Sequence, residues 1–184
     1  MKHILLRSLI DTQQLAGREL GKQHLPILMG AALDAREGEL ILWDFSGITH
    51  ASASYFAATF LNLITTAEQL DRYFAFFELN RPTTEDFDIV LKTEKLAALV
   101  ASRIQDDRIT EVKVLGHLDP AYEQTFWEVC RLGEATSEDV LRSANRAVTI
   151  KKTAWINRLT YLHRQRLLRK EKRDREFVFK PAYL

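Results

Sequence analysis

The sequence predicts an α/β domain over residues 1–117 and a second domain, three helices followed by a β-hairpin, over residues 118–184. In the first part, continuous apolar runs alternate with segments of helical spacing, which is typical of strands and helices built around one sheet. From Pro120 onward, three segments in succession have helical spacing, and a strand pattern follows them. Asp119 is expected to cap the first of these helices, so the domain boundary is predicted just before it.

The charge of the chain divides at the same boundary. Residues 1–116 contain 12 Lys and Arg against 16 Asp and Glu, a net of −4. Residues 117–184 contain 14 against 9, a net of +5, and residues 142–184 alone contain 13 against 3, a net of +10. This division favours an acidic body joined to a basic domain that contacts a polyanion.

The strands of the first domain are predicted from short apolar runs. The run at residues 40–45 has no polar face, which is typical of a strand buried on both sides. Further strands are predicted near residues 4–6, at residues 73–79 and at residues 112–115. Asp44 ends the central run, and we expect it to cap the following loop, with a role in a binding site as the alternative.

Helical spacing predicts the segments between these strands. Residues 13–36 follow it, and Pro26 is expected to split them into two helices, since proline removes a backbone hydrogen bond. A further helix is predicted to start with Ser52 or Ser54 as its N-cap and to continue to about residue 70. The next is predicted to start at residues 84–86 and to extend through residue 100.

The second domain is predicted as three helices in close succession. The first covers residues 120–132 and ends at Gly133. Ser137 is the expected N-cap of the second helix, because two acidic residues follow it. After a turn at residues 145–149, Thr149 is expected to cap the third helix, which continues to about Arg166.

The third helix has one apolar face and one polar face. Trp155, Leu159 and Leu162 are four and three residues apart, so they share the buried face. The opposite face has side chains suited to base edges, because Asn can bond adenine in two places and Arg can bond guanine likewise. These residues are Thr153, Asn157, Thr160 and Arg164, flanked by Lys152 and Ile156. The residues expected to contact phosphates are Lys151, Lys152 and Arg158.

The hairpin after this helix is strongly basic. Its two strands are predicted to join near residues 172–174, with Leu168, Phe177 and Phe179 on the apolar side. Four basic residues are expected at and near the tip, where they would contact the nucleic-acid backbone. These are Lys170, Lys172, Arg173 and Arg175.

The stretch from residue 119 to residue 182 resembles the winged helix-turn-helix domain of bacterial transcription regulators. The resemblance rests on the segment 153–162, on Leu167-Leu168-Arg169-Lys170 and on Phe177-Val178-Phe179. It implies that the third helix recognises duplex DNA and that the hairpin forms the wing. The family often has glycine at the position of Arg166, so this helix is expected to end differently. RNA binding, protein contact and a merely solvated charged face are the alternatives.

The first domain resembles the STAS-like domains, relatives of anti-sigma-factor antagonists. The matching segments are residues 17–21, 40–48 and 51–56, with Asn80-Arg81 after the phenylalanine-rich strand. The resemblance implies an α/β sandwich that contacts a protein, either a kinase-like ATPase or a second copy. It makes Ser52 and Ser54 possible phosphorylation sites. However, Ala51 stands where the antagonist motif has an acidic residue, so N-capping is favoured.

Together these features predict a cytoplasmic DNA-binding transcriptional regulator with a STAS-like interaction or sensor domain. The alternative is a protein-interaction adaptor of a partner-switching pathway. No catalytic motif, metal-ligand cluster or phosphate-binding loop is apparent, so neither an enzyme nor a cofactor is expected. Gly17 and Gly21 are expected to permit close packing. Cys130 is expected to be a buried helix residue, with a redox thiol as the alternative.

Overall fold

The computed structural model describes residues 1–143 and 151–184. The predicted turn at residues 145–149 lies outside the described residues. The predicted Thr149 cap is wrong, because the third helix of the second domain begins at Lys152 with Lys151 at its N-cap position. The chain folds as two compact units, Met1–His117 and Leu118–Leu184, each with its own internal packing. Within the described residues, no helix combines the length and the apolar composition that a membrane span requires.

The first unit is built around a five-stranded, mostly parallel sheet. In chain order its elements are β1 (Lys2–Leu5), α1 (Leu6–Leu9), β2 (Gln14–Leu15), α2 (Arg18–Leu33), β3 (Leu40–Asp44), β4 (His50–Ala51), α3 (Ala53–Ala58), α4 (Phe60–Thr66), β5 (Tyr73–Phe77), α5 (Arg81–Thr93), β6 (Ala97–Gln105) and β7 (Arg108–Gly116). The strand order in the sheet is β1-β3-β5-β6-β7, and β7 alone is antiparallel to its neighbour. Strands β2 and β4 form a separate short parallel pair. The predicted α/β class is therefore confirmed.

The core of this unit is a cluster of aromatic rings between the sheet and its helices. Strand β3 is buried along its whole length, as the apolar run predicts. Phe56 of α3 stacks on Phe87 of α5 with ring centroids 4.3 Å apart. Phe60 of α4 meets Phe76 of β5 edge-on at 5.4 Å. Such ring pairs add to the free energy gained by burying their surface, so they join the helices to the sheet.

Helix α2 does not split at Pro26, contrary to the sequence-based expectation. It is continuous over Arg18–Leu33, and residues 13–17 precede it as β2 and a loop. Pro26 is exposed, so its ring and the missing hydrogen bond face solvent. Gly21 before it and Leu28 after it are both buried, and this packing on either side outweighs the cost of the proline.

The helix predicted from residue 52 to about residue 70 is divided in two. Thr59 separates α3 from α4 with φ −123° and ψ −86°. Its buried hydroxyl donates a hydrogen bond to the Tyr55 carbonyl at 2.7 Å. A threonine bonded to the carbonyl four residues earlier often bends a helix, which accounts for the break.

The C-terminal part of this unit differs most from the prediction. Helix α5 begins at Arg81, because the Asn80 side chain accepts a hydrogen bond from Thr83 N–H at 3.1 Å. It ends at Thr93, and residues 97–100 belong to strand β6 rather than to the helix. Strands β6 and β7 form a hairpin whose two-residue turn, Asp106 and Asp107, has φ +50° and +57°. Aspartate tolerates this left-handed conformation, although Asn-Gly or Asp-Gly signals such a turn more clearly.

The second unit contains three helices and a two-stranded antiparallel hairpin in its described residues. The elements are α6 (Pro120–Leu132), α7 (Ser137–Ser143), α8 (Lys152–Arg164), β8 (Leu168–Arg173) and β9 (Glu176–Pro181). Between α6 and α7, Ala135 pairs with Phe179 of β9 through two backbone hydrogen bonds, of 2.8 and 2.9 Å. This isolated bridge attaches the hairpin to the loop between the first two helices.

Helix α7 is capped one residue earlier than predicted. Thr136 Oγ1 accepts a hydrogen bond from Asp139 N–H at 3.2 Å, and Asp139 accepts one from Thr136 N–H at 2.8 Å. Thr136, not Ser137, is therefore the N-cap, in a reciprocal arrangement of the capping-box type.

Helix α8 ends in a left-handed cap, although its sequence lacks glycine there. Arg166 has φ +58°, and its N–H donates to the His163 carbonyl at 2.9 Å. Leu167 N–H donates to the Leu162 carbonyl at 3.0 Å. This pair of bonds is the Schellman motif. The expectation that Arg166 would end the helix differently from a glycine is therefore wrong.

We expect substitutions at two glycines of α2 to have opposite effects. A Cβ at Gly21 would lie 2.6 Å from Ala58 Cβ of α3, so Gly21→Ala lowers the free energy of unfolding by about 1–3 kcal/mol. Gly30 has no atom within 4 Å of the same position, so Gly30→Ala raises it by about 0.5–1 kcal/mol. Urea unfolding of both variants checks this, and equal effects would contradict the close packing of α2 on α3.

The left-handed cap of α8 gives a second prediction. Arg166→Gly and Arg166→Ala both remove the arginine side chain, but only alanine retains the steric cost of positive φ. The glycine variant is therefore expected to be more stable than the alanine variant by about 1 kcal/mol, measured by urea unfolding. An alanine variant of equal or greater stability would exclude the observed helix end.

Candidate nucleic-acid interface

Helix α8 has the two faces that its sequence predicts. Trp155, Leu159 and Leu162 are buried, at 3%, 0% and 0% exposure. The side chains predicted to contact nucleic acid lie away from this buried face. Exposed residues are Lys151, Lys152, Thr153, Ile156, Asn157 and Arg164, and half-buried ones are Arg158 and Thr160.

The hairpin sorts its charges onto two faces. Side chains alternate along a strand, so Lys170 and Lys172 share one face of β8. Across the ladder these two residues pair with Phe179 and Phe177. The turn consists of residues 174 and 175, slightly beyond the predicted position, and Asp174 takes φ +52° there. The face with the two lysines therefore also carries Phe177 and Phe179.

A groove of about 270 Å³ runs between α8 and this face of the hairpin. It brings together five of the predicted residues: Lys152, Ile156, Thr160, Lys170 and Arg175. Phe177 forms part of its wall, and Lys170 Nζ lies 3.9 Å from the centroid of that ring. Ile156 and Phe177 are 43% and 48% exposed, so the groove has an accessible apolar surface beside its cations.

Two further residues in this groove carry hydroxyl groups, and one acid lies beside them. Thr136 and Ser137, at the start of α7, and Glu176 of β9 complete the lining with Phe179. Sequence reasoning missed the contribution of these residues. Phe177 was expected only as part of the apolar side of the hairpin, and the register of β8 with β9 is what puts it beside Lys170.

Arg173 lies on the other face of the hairpin, apart from the groove. Its guanidinium donates two hydrogen bonds to the Glu134 carboxylate, of 2.8 and 2.9 Å, and one to Glu171 at 3.2 Å. Glu171 also pairs with Lys180. The structure therefore does not bring Arg173 together with the other predicted phosphate contacts.

Two predicted contacts on α8 have intramolecular partners. Lys152 Nζ lies 3.3 Å from Glu138 Oε2. The side chains of this pair are 49% and 43% exposed, so water screens the attraction. The Arg158 guanidinium lies over the Trp155 ring, 4.8 Å from its centroid. Such stacking fixes the direction of the arginine side chain.

The predicted serines of the first unit lie at the start of α3. Ser52 Oγ accepts hydrogen bonds from Tyr55 N–H at 3.3 Å and from Gly17 N–H at 3.2 Å, which confirms its role as the N-cap. Ser54 is exposed, with its hydroxyl 3.1 Å from that of Ser52. Phosphorylation of either serine stays a prediction.

Asp44 caps the loop after β3, as predicted. Its carboxylate accepts a hydrogen bond from Ser46 N–H at 2.8 Å, and His3 Nε2 lies 2.7 Å from its other oxygen. Burial by itself raises the pKa of this carboxyl, but the hydrogen bonds from Ser46 and His3 outweigh it and hold the pKa below its usual value. The residue therefore stays ionised and fixes the end of the strand.

Cys130 has the environment of a structural residue. Burial raises the pKa of its thiol to about 11, so almost none of it is thiolate at neutral pH. Cys130 is half-buried in α6, so the expected burial is confirmed only in part, and its raised pKa favours a structural role over a redox thiol. Among residues 1–143 and 151–184, no three His, Cys, Asp or Glu side chains form a group that could hold a metal ion.

Comparison of the chain with protein-family models, with curated proteins and with solved structures finds no significant match.

The N-cap of α3 gives a prediction with a matched control. Ser52→Ala removes an acceptor for two backbone N–H groups, so the free energy of unfolding is expected to fall by about 1 kcal/mol. Ser54→Ala, two residues away at an exposed position, is expected to change it by less than about 0.5 kcal/mol. Thermal or urea unfolding measures both, and an equal loss at Ser54 would argue against capping by Ser52 alone.

Proposed function

We propose that the second unit is a winged-helix domain that binds duplex DNA. We further propose that the chain is a transcriptional regulator whose STAS-like first unit contacts a protein. The observation that carries the proposal is the groove between α8 and the hairpin. Cations from three separate elements converge on it: Lys152 from α8, Lys170 from β8 and Arg175 from the turn.

The order of elements supports the winged-helix assignment. Helices α6, α7 and α8 are followed by the β8–β9 hairpin, and Ala135 between α6 and α7 pairs with β9. In the family that the sequence resembles, the third helix is the recognition helix and the hairpin is the wing. Here α8 and the hairpin stand on either side of one groove, so both could contact neighbouring parts of one duplex.

The exposed face of α8 has the dimensions and the chemistry for the major groove. An α-helix with its side chains is about 10–12 Å across, and the major groove is about 12 Å wide. Asn157 and Arg164 are exposed and suited to adenine and guanine edges. Ile156, also exposed, can contact a thymine methyl group. These side chains would supply sequence preference.

Phosphate contacts would come from the flanks of this face. Lys151 and Lys152 stand at the start of α8, and Lys170, Lys172 and Arg175 belong to the hairpin. Neutralising phosphates releases counterions, so binding by such residues weakens as salt increases. Arg158, directed by its stacking on Trp155, would add a contact on the other side of the helix.

The first unit is proposed to act through protein contacts. Its parallel-rich sheet with helices in the connections is compatible with a STAS-like domain, and Ser54 at the start of α3 is accessible to a kinase. The partner would be a kinase-like ATPase or a second copy of the chain.

If the chain binds such a protein and shows no salt-sensitive affinity for DNA, the adaptor of a partner-switching pathway is the better description.

Salt dependence of DNA binding tests the proposal. Lys172→Ala and Arg175→Ala should each weaken binding and reduce the log–log slope of affinity against salt by about 0.9, since each loses one phosphate contact. Asn157→Ala should leave the slope unchanged and relax sequence preference, at about 1–3 kcal/mol for the preferred base. Fluorescence anisotropy with duplexes selected from a random pool measures both quantities.

Lys22→Ala serves as the control, because Lys22 lies on the first unit and pairs with Glu19 at 2.8 Å. It should change neither the affinity nor the slope. Failure of the wild-type chain to retain any duplex from the pool at low salt would overturn the proposal.

A further inference from the structure

A bidentate ion pair joins the hairpin to the loop between α6 and α7. Arg173 ends strand β8, next to the turn, and its guanidinium binds both oxygens of Glu134. Two parallel hydrogen bonds fix the relative orientation of the two planar groups, which a single ammonium contact cannot do. The pair therefore constrains geometry as well as charge.

Glu134 directly precedes the residue that forms the backbone bridge to the hairpin. Ala135 N–H donates to the Phe179 carbonyl at 2.8 Å, and Phe179 N–H donates back at 2.9 Å. The loop thus holds β9 through its backbone and the end of β8 through a side chain. These two attachments lie on different strands, so together they resist rotation of the hairpin about either one.

The positive charge of Arg173 is paired with carboxylates of the same domain. Glu134 and Glu171 both accept hydrogen bonds from it, and Lys180 pairs with Glu171. This group of four side chains has no net charge, and it lies on the face of the hairpin that carries neither Lys170 nor Lys172. A residue neutralised in this way adds little to the attraction of a polyanion.

We infer that Arg173 is a positioning residue for DNA binding, and that the acidic Glu134 promotes binding by holding the hairpin at its angle to α8. This inference rests on the proposed function. A hairpin held in place before binding loses less conformational freedom on contact with the duplex, so the affinity is higher. The sequence-based prediction for Arg173 is different, because it makes this residue a phosphate contact.

An electrostatic role and a positioning role of Glu134 predict opposite changes in DNA affinity for one substitution. Glu134→Gln removes a negative charge, so a purely electrostatic description expects tighter DNA binding. The positioning role expects weaker binding, by roughly two- to fivefold, the range of a partly exposed ion pair. Arg173→Gln should weaken binding to a similar extent without changing the salt slope. The double variant Glu134→Gln/Arg173→Gln should be no weaker than either single variant, since the same interaction is lost.

A matched control removes an acid elsewhere in the unit. Glu123 on α6 is exposed and accepts a hydrogen bond from Trp127 Nε1 at 3.4 Å. Glu123→Gln should bind DNA as tightly as the wild-type chain or slightly more tightly. Tighter binding by Glu134→Gln, or a salt slope reduced by about 0.9 in Arg173→Gln, would overturn the inference.

A second measurement needs no DNA. Hydrogen exchange at the amides of Ala135 and Phe179 reports whether the hairpin stays attached to the loop. Both amides should exchange roughly two- to fivefold faster in Glu134→Gln and in Arg173→Gln, and at the wild-type rate in Glu123→Gln. Unchanged exchange would overturn the positioning role even if the chain binds DNA. If the wild-type chain retains no duplex, the proposed function fails, and the exchange rates still decide whether Arg173 holds the hairpin.

Discussion

The alternation of side chains along the β8–β9 hairpin is the constraint on which the second unit depends. Neighbouring residues of a strand point to opposite faces, so the register of the ladder sorts the charges of this short segment. Lys170 and Lys172 share one face, and Lys170 lines the groove, while Glu171 and Arg173 lie on the other face and pair with other side chains. A shift of one residue would exchange the faces and remove Lys170 from the groove.

That register is held from outside the hairpin. The backbone bridge between Ala135 and Phe179 fixes β9, and burial of Phe179 and Leu168 fixes the apolar side against the helices. Helix α8 is placed by the burial of Trp155 and by its Schellman end at Arg166. The left-handed arginine costs about 1 kcal/mol or more relative to glycine, and the hydrogen bonds of the cap offset this cost. The interface that we propose is therefore supported by contacts that take no part in binding.

The sequence predicted elements well where packing agrees with local pattern. The buried strand at Leu40–Asp44, helix Pro120–Leu132 and the two faces of α8 all follow from apolar spacing. It failed where tertiary burial or turn chemistry outweighs that pattern. Helix α2 continues through Pro26 because residues on both sides of it are buried. The β6–β7 hairpin was not predicted because its turn at Asp106 lacks the glycine that usually marks such a turn. For the candidate site, the sequence predicted which residues are cationic but not which face of the hairpin each of them occupies. It could not show that Arg173 pairs with Glu134, because the two residues are 39 positions apart.

Mapping the DNA contact surface by NMR distinguishes binding along α8 and the groove from binding elsewhere on the second unit. When a selected duplex is added to the protein, the resonances of the Asn157 side-chain amide, Thr160 and Lys170 should shift from the first additions of DNA onward. Those of Lys180, on the other face of the hairpin, should remain close to their positions in the unbound chain. Shifts centred on Lys180 and its neighbours, with α8 and the groove unaffected, would show that DNA does not bind along α8 and the groove.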